Sequence, residues 1–521
     1  MGLPQFLTES EKESSKVPEE FLSLAEKVYL VKGPVGAALY DFRERKVWAV
    51  PPLVLAILEA ATNGLTFEAA VKQSLGKDVR PTALKTVRQF VQNHPALEFS
   101  PVVPPRPTSP PLSRTVQPTW LMFEITSACN LSCCHCYLPA TRGAVNHTEP
   151  TLSTRRWVEL MEEGRRVGFG ALGLTGGEPA VHPELQWLLR LAHGLGYQPI
   201  ALFTNLTLLS DELLAMISEI GAEVHTSLYS LDAQTHDTIT GEPGSFERVI
   251  EGLRRILAAG VETFVGIPVM EQNLATVDQT IGFLADMGIA LDHIKTDCTL
   301  PIGRGANLRP LPEAQVWRSK VDGLRVDGWR LLVDTCWAGR LAIANNGDVF
   351  VCVGERQTLG NVATVPLRAV VVSKAVRSLW GITLDEVSVC AECEFRYACF
   401  DCRAVAHLLS GDLRGRDPTC PYTPATGLWR QKEAPMNTKP KRKENLVLEE
   451  IDDELLVADF SDSQLHVLNP TAAAVWEMCD GQRTAEEIAD LLAEHFGLSP
   501  EQVRQDIAKI IGEFREKGLI E

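Results

Sequence analysis

Residues 128–137 have the sequence A-C-N-L-S-C-C-H-C-Y, in which Cys129, Cys133 and Cys136 follow the spacing C-x3-C-x2-C. The apolar run at residues 120–123 precedes this loop and predicts a buried strand that leads into it. Three thiolates at this spacing can bind one compact inorganic centre. They leave one iron of a cubane cluster without a protein ligand, whereas structural zinc usually has four protein ligands. The loop therefore predicts a cluster whose open iron can bind a further group.

The sequence G-G-E-P at Gly176, Gly177, Glu178 and Pro179 follows a second apolar run. Together with the cysteine loop, this turn resembles the radical S-adenosylmethionine enzymes. The resemblance implies that S-adenosylmethionine binds the open iron of a 4Fe-4S cluster and that the G-G-E-P turn holds its methionine part. It also implies an electron donor, such as a flavodoxin, a ferredoxin or a reductase, and a 5'-deoxyadenosyl radical that removes hydrogen from the substrate. The alternative is a zinc knuckle beside an ordinary glycine turn.

The composition limits the class of protein. A chain of 521 residues with 45% apolar and 22% charged residues is expected to form about three to five soluble, globular units. A net charge of -17 argues against a nucleic-acid partner, and the basic run at residues 439–443 is interpreted as a solvated tail. No window has the roughly 18 apolar residues that a membrane helix needs. Thirteen cysteines without a visible secretory signal indicate metal or redox chemistry in the cytoplasm.

Strand and helix patterns alternate from residue 119 to about residue 315. The predicted strands are Leu121 to Ile125, Ala171 to Leu174, Ile200 to Thr204, Val224 to Leu228, Thr263 to Pro268 and His293 to Asp297. The predicted helices include Ser153 to Val167, Pro183 to Leu195, Asp211 to Ile220 and Ser245 to Ala259. Repeated strand-helix units predict an α/β fold, a partial (β/α)6 TIM-like barrel with its functional groups at the C-terminal strand ends.

Two further strand ends match the family resemblance. Thr204 and Asn205 follow the third strand and resemble the polar tip that contacts the ribose of the cofactor. Ser227 on the fourth strand resembles a polar group near the cofactor. Without the resemblance, a Thr-Asn pair is more often a helix cap or a turn.

Seven further cysteines form a second group. In a reducing compartment, unpaired reactive thiols are a liability unless a metal holds them. Their arrangement resembles the SPASM extension, which carries auxiliary 4Fe-4S clusters in radical enzymes that act on peptides. The resemblance implies one or two auxiliary clusters. It assigns the distal cluster to Cys390, Cys393, Cys399 and Cys420, and the proximal cluster to Cys336, Cys352 and Cys402.

This second group departs from the SPASM pattern in two places. Two residues separate Cys399 from Cys402, where three are usual, and no additional cysteine lies shortly before Cys336. The proximal cluster would then have an open position, filled by the substrate or by a residue such as Asp334. Two zinc sites are the alternative, because C-x2-C pairs also occur in zinc ribbons.

Three cysteines remain outside these sets. Cys134 lies off the ligand spacing and is predicted to be a non-ligand, and Cys479 is predicted to lie in a core. Cys298 follows a predicted strand whose end faces the barrel mouth. It is interpreted either as a small buried apolar residue or as a catalytic hydrogen-atom donor or thiyl relay.

Two small domains are predicted at the ends of the chain. Residues 445–521 show three strand patterns followed by three helix patterns and resemble the small peptide chaperone of pyrroloquinoline-quinone biosynthesis (PqqD-like), a winged-helix fold that binds a precursor-peptide leader along a strand edge. A shift of 418 residues aligns this domain with residues 1–100, for example Pro470 with Pro52 and Asp459 with Asp41. The N-terminal segment is therefore predicted to be a degenerate second copy. A packing or dimerisation domain is the alternative for either copy.

The predicted order is a degenerate PqqD-like module (1–100), a proline-rich linker (101–118), a radical SAM barrel (119–315), a SPASM domain (316–425), a linker (426–444) and a PqqD-like domain (445–521). The resemblances imply an enzyme that binds the leader of a ribosomally made precursor peptide and installs a thioether, carbon-carbon or carbon-oxygen link, or another modification, in its core. The alternatives are a peptide epimerase, a sulfatase-maturating enzyme that forms formylglycine, and a non-catalytic peptide carrier.

Overall fold

The computed structural model of the chain describes residues 19–76, 79–111, 116–138, 141–142, 151–311, 335–399, 401–429, 436–451, 454–461 and 464–520. Two compact units are present, and each is described by itself. Unit 1 comprises Met1–Pro110, Ala425–Gly427 and Gln431–Glu521, and unit 2 comprises Pro111–Pro424 and Leu428–Arg430.

The strands, numbered in chain order, are β1 Phe21–Leu24, β2 Val28–Lys32, β3 Ala37–Asp41, β4 Lys46–Ala49, β5 Leu97–Ser100, β6 Trp120–Thr126, β7 Ala128–Cys129, β8 Thr141–Arg142, β9 Ala171–Gly176, β10 Ile200–Phe203, β11 Glu223–Ser227, β12 Thr263–Val269, β13 Ile294–Cys298, β14 Arg340–Ile343, β15 Val349–Phe350, β16 Tyr422–Thr423, β17 Leu428–Trp429, β18 Val447–Ile451, β19 Glu454–Asp459 and β20 Gln464–Leu468. The α-helices are Pro52–Thr62, Phe67–Leu75, Pro81–Asn93, Thr154–Val167, Leu185–Gly194, Asp211–Ile220, Ala233–Thr240, Ser245–Ala258, Val277–Asp286, Leu367–Val371, Lys374–Trp380, Arg403–Ser410, Pro470–Met478, Ala485–Phe496 and Pro500–Glu516.

Unit 2 is built on an eight-stranded sheet in the order β13-β12-β11-β10-β9-β6-β14-β15. Six strands, β6 and β9 to β13, are parallel neighbours in chain order, as a partial (β/α)6 barrel requires. The fold prediction is confirmed. Residues of β6 alternate between two sides, because Leu121, Phe123 and Ile125 join the large apolar core that includes Trp157 of the first barrel helix, while Glu124 faces the other side.

The cysteine-rich segment extends the barrel sheet. β14 pairs parallel with β6, and β15 pairs antiparallel with β14. The buried Trp380 fixes the neighbouring helix, because its indole Nε1 donates a hydrogen bond to the Arg340 carbonyl at 2.8 Å. The second cysteine group is therefore attached directly to the first barrel strand.

Unit 1 contains two three-stranded antiparallel sheets, β2-β3-β4 and β18-β19-β20. Leu39 pairs with Trp48 in the first, and Val457 pairs with His466 in the second, so the two pairs coincide under the shift of 418 residues. The same shift superposes the registers of the other strand pairs, and three helices follow each sheet. The predicted element order of both small domains is thus present in the structure. The β1 and β5 pair was not expected from the sequence, because four-residue strands far apart in the chain carry little local signal.

The C-terminal sheet is covered on both faces. Leu456, Ala458 and Leu465 belong to the same apolar core as the N-terminal helices, whereas Leu455 and Val457 pack with the C-terminal helices. An ion pair between Arg80 and Glu450 at 3.4 Å lies beside this contact. The central strand β19 is therefore buried between the N-terminal copy and the helices of its own copy.

Local signals at the C-terminal helices are only partly realised. The sequence predicts capping boxes at Thr484-x-x-Glu487 and at Ser499-x-x-Gln502. The first is present with both hydrogen bonds. The second prediction is wrong, because the Ser499 side chain makes no capping hydrogen bond and Pro500 occupies the first helical turn, where no backbone N–H is needed.

The basic run does not form a solvated tail. Lys441 and Arg442 form backbone bridges with Asp480 and Ile520, and the Lys443 ammonium pairs with Asp459 at 2.6 Å. This strand-like pairing overrides the tendency of a charge run to stay in water. Among the described residues, no helix is both long and apolar enough to cross a bilayer.

Candidate active site

The predicted cysteine loop begins where β6 ends. One helix end holds its backbone at two points, because the amide of Ser132 donates to the Thr240 carbonyl at 2.8 Å and that of Cys134 donates to the Ile239 carbonyl at 2.9 Å. The Cys134 side chain packs beside the apolar cluster of Tyr229 and Ile239. The loop is thus fixed by the end of the helix Ala233–Thr240.

Burial makes the metal-free thiols of this loop weakly acidic. It raises the pKa of Cys133 to about 12, with further contributions from the charges of Cys136 and Cys129. Burial likewise raises the pKa of Cys129 and of Cys136 above the usual range. Cys136 acts on both other thiols, and Cys129 acts on Cys133, so the three sulfurs share one half-buried site. Bonding to iron would offset the cost of the thiolate charge there.

The G-G-E-P turn packs against the start of the cysteine loop. Gly177 and Glu178 donate their amide hydrogens to the carbonyls of Thr126 and Ala128, each at 2.8 Å. A Cβ atom at Gly177 would overlap the Ala128 carbonyl, and Gly176 has a φ of 144°, which favours glycine. Both glycines are therefore required for the close approach of the two motifs.

Glu178 connects the second and third strand ends. Its buried carboxylate accepts hydrogen bonds from the Thr204 hydroxyl and the Asn205 amide, each at 2.7 Å, and from the Ala180 amide at 3.0 Å. Burial raises the pKa of Glu178, and these three hydrogen bonds act in the opposite direction. Asn205 in turn donates to the Asn130 side chain in the cysteine loop at 2.9 Å. The structure thus brings the predicted Thr204 and Asn205 beside the first two motifs.

The fourth strand contributes a residue that the sequence analysis missed. The Tyr229 hydroxyl lies 3.9 Å from the Cys133 sulfur, and it also hydrogen-bonds the predicted site residue Ser227. The signal for this role was present, because Tyr229 follows Ser227 at the end of the same strand. It could not be separated from the signal of an ordinary core aromatic.

The sequence analysis also missed an ion pair that joins β6 to the cysteine-rich segment. Arg356 binds both oxygens of the buried Glu124 carboxylate, at 2.9 and 3.3 Å, and its guanidinium lies 4.3 Å from the Phe350 ring centroid. Tyr137 is close to the same pair. Because Glu124 and Arg356 are 232 positions apart, no local pattern could predict this contact.

The donor set fits a cluster at the first site. Three half-buried thiols share the site, two glycines bring a second motif close to them, and a phenol oxygen is directed at one sulfur. Within the part of the chain that the structure describes, no three cysteine, histidine or acidic side chains are grouped tightly enough for a single metal ion. A cubane cluster spreads its thiolates over separate irons.

The second group of cysteines divides into two sets. A hydrogen bond with Cys402 lowers the pKa of Cys336, and Cys352 lies close enough to act on the same thiol. The other set is Cys390, Cys393, Cys399 and Cys420, whose charges act on one another. These two sets have the membership that the resemblance implies for the proximal and distal clusters. Asp334 lies outside the described residues.

The remaining cysteines differ in their surroundings. Cys479 is fully buried among the C-terminal helices, as predicted. Cys298 pairs in register with Val269, which faces the outer core, so its side chain also faces away from the barrel interior. Its sulfur donates to the Leu311 carbonyl at 3.4 Å. These contacts favour the interpretation of Cys298 as a small buried residue.

Two protein families match this chain. Residues 123–284 match the family described as the Radical SAM superfamily, and residues 454–520 match Coenzyme PQQ synthesis protein D (PqqD). The chain is a radical SAM enzyme with a PqqD domain. S-adenosylmethionine and a 4Fe-4S cluster are the cofactors of its radical SAM domain. The residues placed to hold the cluster are those of the cysteine loop.

Several relatives resemble parts of this radical SAM enzyme. The AdoMet-dependent heme synthases of Methanosarcina barkeri and Oleidesulfovibrio alaskensis are 25% and 27% identical to it, over 60% and 58% of this chain and 99% and 87% of theirs. Among solved structures, Streptococcus suis SuiB bound to precursor peptide SuiA is 13% identical, with a TM-score of 0.47, over 77% of this chain and 100% of the other. The enzyme anSMEcpe with bound AdoMet and a Cp18Cys peptide is 16% identical, with a TM-score of 0.44, over 58% of this chain and 93% of the other.

Proposed function

We propose that this radical SAM enzyme modifies a ribosomally made precursor peptide whose leader binds its PqqD domain. The observation that carries the proposal is the presence of a PqqD domain on the same chain as the radical SAM domain. A tethered leader-binding domain raises the effective concentration of a peptide core near the barrel. A folded protein substrate needs no leader, so the domain argues against maturation of a partner sulfatase.

The leader is proposed to add as a strand to the edge of β20. The sheet order leaves β18 and β20 as edge strands, and among the described residues β20 makes backbone hydrogen bonds only to β19 within its sheet. β18 carries Glu449 and Glu450, and Glu450 is paired with Arg80. Strand addition uses the free main-chain groups of an edge, and pockets for alternate side chains provide selectivity. Since the N-terminal copy covers one face of this sheet and the C-terminal helices cover the other, the edge is its accessible part.

At the barrel mouth, the chain's own residues would bind and orient the cofactor. Glu178 fixes the tip that carries Thr204 and Asn205, and Tyr229 connects Ser227 to the cysteine loop. The residues of the cysteine loop and the G-G-E-P turn would hold the cluster and S-adenosylmethionine, and this cofactor pair would supply the radical chemistry for hydrogen abstraction. The two downstream thiol sets, Cys336/Cys352/Cys402 and Cys390/Cys393/Cys399/Cys420, are proposed to hold auxiliary 4Fe-4S clusters, which would supply an electron acceptor close to the barrel. The protein's contribution is the exclusion of water and the fixed geometry of the reacting groups.

The test uses short peptides encoded next to the gene for this enzyme. With reconstituted enzyme and reductant, we expect 5'-deoxyadenosine and a mass change in one such peptide, and we expect removal of residues 445–521 to abolish the mass change. Unchanged peptide turnover without these residues would contradict the leader-binding proposal. Absence of 5'-deoxyadenosine under reducing conditions would contradict any radical activity.

The strand edge can be tested with a matched pair of positions. Val467 on β20 and Leu448 on β18 are both exposed apolar residues, at 36% and 44%. A photoreactive phenylalanine analogue at Val467 is expected to crosslink the leader, whereas the same group at Leu448 is not. Crosslinking from Leu448 alone would place the leader on the opposite edge.

A second candidate follows from the heme-synthase relatives, which match about three fifths of this chain. By that analogy, the substrate would be a tetrapyrrole, and the PqqD domain would not be needed for turnover. The same truncation of residues 445–521 separates the two candidates, because tetrapyrrole turnover would survive it. Incubation with a heme precursor and detection of heme is the direct assay.

A further inference from the structure

The segment Gly303-Arg304-Gly305, which we call the GRG segment, lies directly on the cysteine loop. It follows β13 and forms a short 3-10 turn at Gly303–Asn307. Gly303 has a φ of 59°, and a Cβ atom there would overlap the Tyr137 carbonyl. A Cβ atom at Gly305 would lie 3.0 Å from the His135 carbonyl. Two glycines thus allow one backbone to approach another closely, as in the G-G-E-P turn.

Arg304 bonds to the carbonyls of two cysteines. Its backbone amide donates to the Cys136 carbonyl at 2.8 Å, and its side-chain Nε donates to the Cys133 carbonyl at 2.8 Å. Both acceptors belong to residues of the C-x3-C-x2-C spacing. The planar guanidinium is suited to this role because its N–H groups have fixed directions.

The charge of Arg304 reaches the thiols as well. Because its side-chain Nε is hydrogen-bonded to the Cys133 carbonyl, the guanidinium places a fixed positive charge directly beside the residues of the cysteine loop. A cluster held by these thiols gains one negative charge when it is reduced. A nearby fixed cation stabilises that charge, and net charge and hydrogen bonding around a cluster set its reduction potential.

We infer that Arg304 is a positioning residue for the open-iron cluster, which fixes the carbonyls of Cys133 and Cys136 and raises the reduction potential of the cluster through its charge. The inference rests on the radical SAM domain and does not depend on the identity of the substrate. It assigns a role to the GRG segment that the G-G-E-P turn and the strand tips do not fill. The direct consequence would be that an electron donor reduces the cluster of the cysteine loop more readily.

The test compares Arg304→Gln with Arg304→Lys in the reconstituted full-length enzyme. Arg190→Gln is the matched control, because Arg190 forms an exposed ion pair with Glu219 on the outside of the barrel. Two quantities are measured: the midpoint potential of the cluster by redox titration monitored by electron paramagnetic resonance, and hydrogen exchange of residues 131–138 by mass spectrometry. The signal that changes when S-adenosylmethionine is added identifies the cluster of the cysteine loop.

We expect Arg304→Gln to lower the midpoint potential and to speed exchange in the loop, relative to both the wild type and Arg190→Gln. Arg304→Lys keeps the charge but not the directed Nε–H donor, so it should keep the potential and speed exchange. A wild-type potential in Arg304→Gln would overturn the electrostatic role, and wild-type exchange in both variants would overturn the positioning role. If Arg304→Gln fails to retain iron, Arg304→Lys still tests positioning through exchange, and a potential lowered in that variant would overturn the assignment to charge.

Discussion

Leu456 offers a sharp test of the packing between the two repeat copies. Its side chain is fully buried in the core that contains the N-terminal helices, whereas its neighbour Leu455 packs with the C-terminal helices. The two residues have the same chemistry and lie on the same strand. A pair of alanine substitutions therefore perturbs one face of β19 at a time.

The expected cost follows from burial. Replacement of a buried leucine by alanine lowers the free energy of unfolding by about 2–5 kcal/mol, because apolar contacts are lost and a cavity remains. At about 1.4 kcal/mol for each factor of ten, the open population that allows exchange should rise by about 30-fold to 4000-fold. The core spans both copies, so Leu456→Ala should affect the helix Pro81–Asn93 as well as β19.

Hydrogen exchange measured by mass spectrometry is the suitable assay, because it reports each segment and does not require two-state unfolding of a long chain. In Leu456→Ala, peptides from Pro81–Asn93 should exchange faster than in Leu455→Ala. In Leu455→Ala, the larger effect should fall on Pro470–Met478 and Pro500–Glu516. If Pro81–Asn93 exchanged at the wild-type rate in Leu456→Ala, the shared core would be refuted.

Three further predictions concern single residues. Gly177→Ala should abolish binding of S-adenosylmethionine in equilibrium dialysis, because the added Cβ atom would overlap the Ala128 carbonyl. Gly170→Ala is the control, since Gly170 has open space around it, and this variant should bind normally. Equal binding by the two variants would contradict the steric argument. Cys298→Ala should retain peptide product and 5'-deoxyadenosine, and loss of product with retained cofactor cleavage would instead support a hydrogen-atom donor. Burial lowers the pKa of His94 from 6.5 to about 4, so the unfolded chain binds the proton more readily than the folded chain. The thermal midpoint of unit 1 should therefore fall as the pH drops from 6.5 towards 4. His94→Asn should flatten this pH dependence, and an unchanged slope in that variant would contradict the argument.

Most of the barrel could be predicted from sequence because its strands are short apolar runs between amphipathic helices. The helix Asp211–Ile220 begins and ends where its pattern predicts. Ser210 caps its first turn, and Gly221 ends it in the left-handed conformation. Local physical chemistry determines such boundaries, so one sequence is sufficient to find them.

The double burial of β19 was visible in the sequence but was not interpreted. Residues 455–458 are Leu-Leu-Val-Ala, an unbroken apolar run, whereas a strand with one wet face alternates apolar and polar residues. The run shows that both faces need cover. It cannot show which part of the chain supplies it, because the covering helix Pro81–Asn93 is separated from this strand by more than 300 positions in the sequence and no local pattern connects them.

The thiols proposed as ligands can be chosen from their spacing, whereas the residues that contact their loop cannot. Arg304 and Tyr229 meet Cys133 only after the strands have assembled, and their sequence context resembles an ordinary loop and an ordinary core. Cys298 illustrates a different limit of sequence reasoning. Its position at a strand end is correct, but the direction of its side chain depends on register, and a shift of one residue moves a side chain to the other face.

The conformation of the cysteine loop is therefore not a property of its own ten residues. Each of four strand ends reaches it separately: the G-G-E-P turn through the Ala128 carbonyl, the β10 tip through Asn130, the β11 end through Tyr229, and the GRG segment through the Cys133 and Cys136 carbonyls. Contacts that converge on one short loop constrain it cooperatively, because loosening one increases the freedom against which the others act. The iron lost by a double variant at two of these strand ends should consequently differ from the sum of the losses in the two single variants. If the loop were determined by its own spacing, the two losses would simply add.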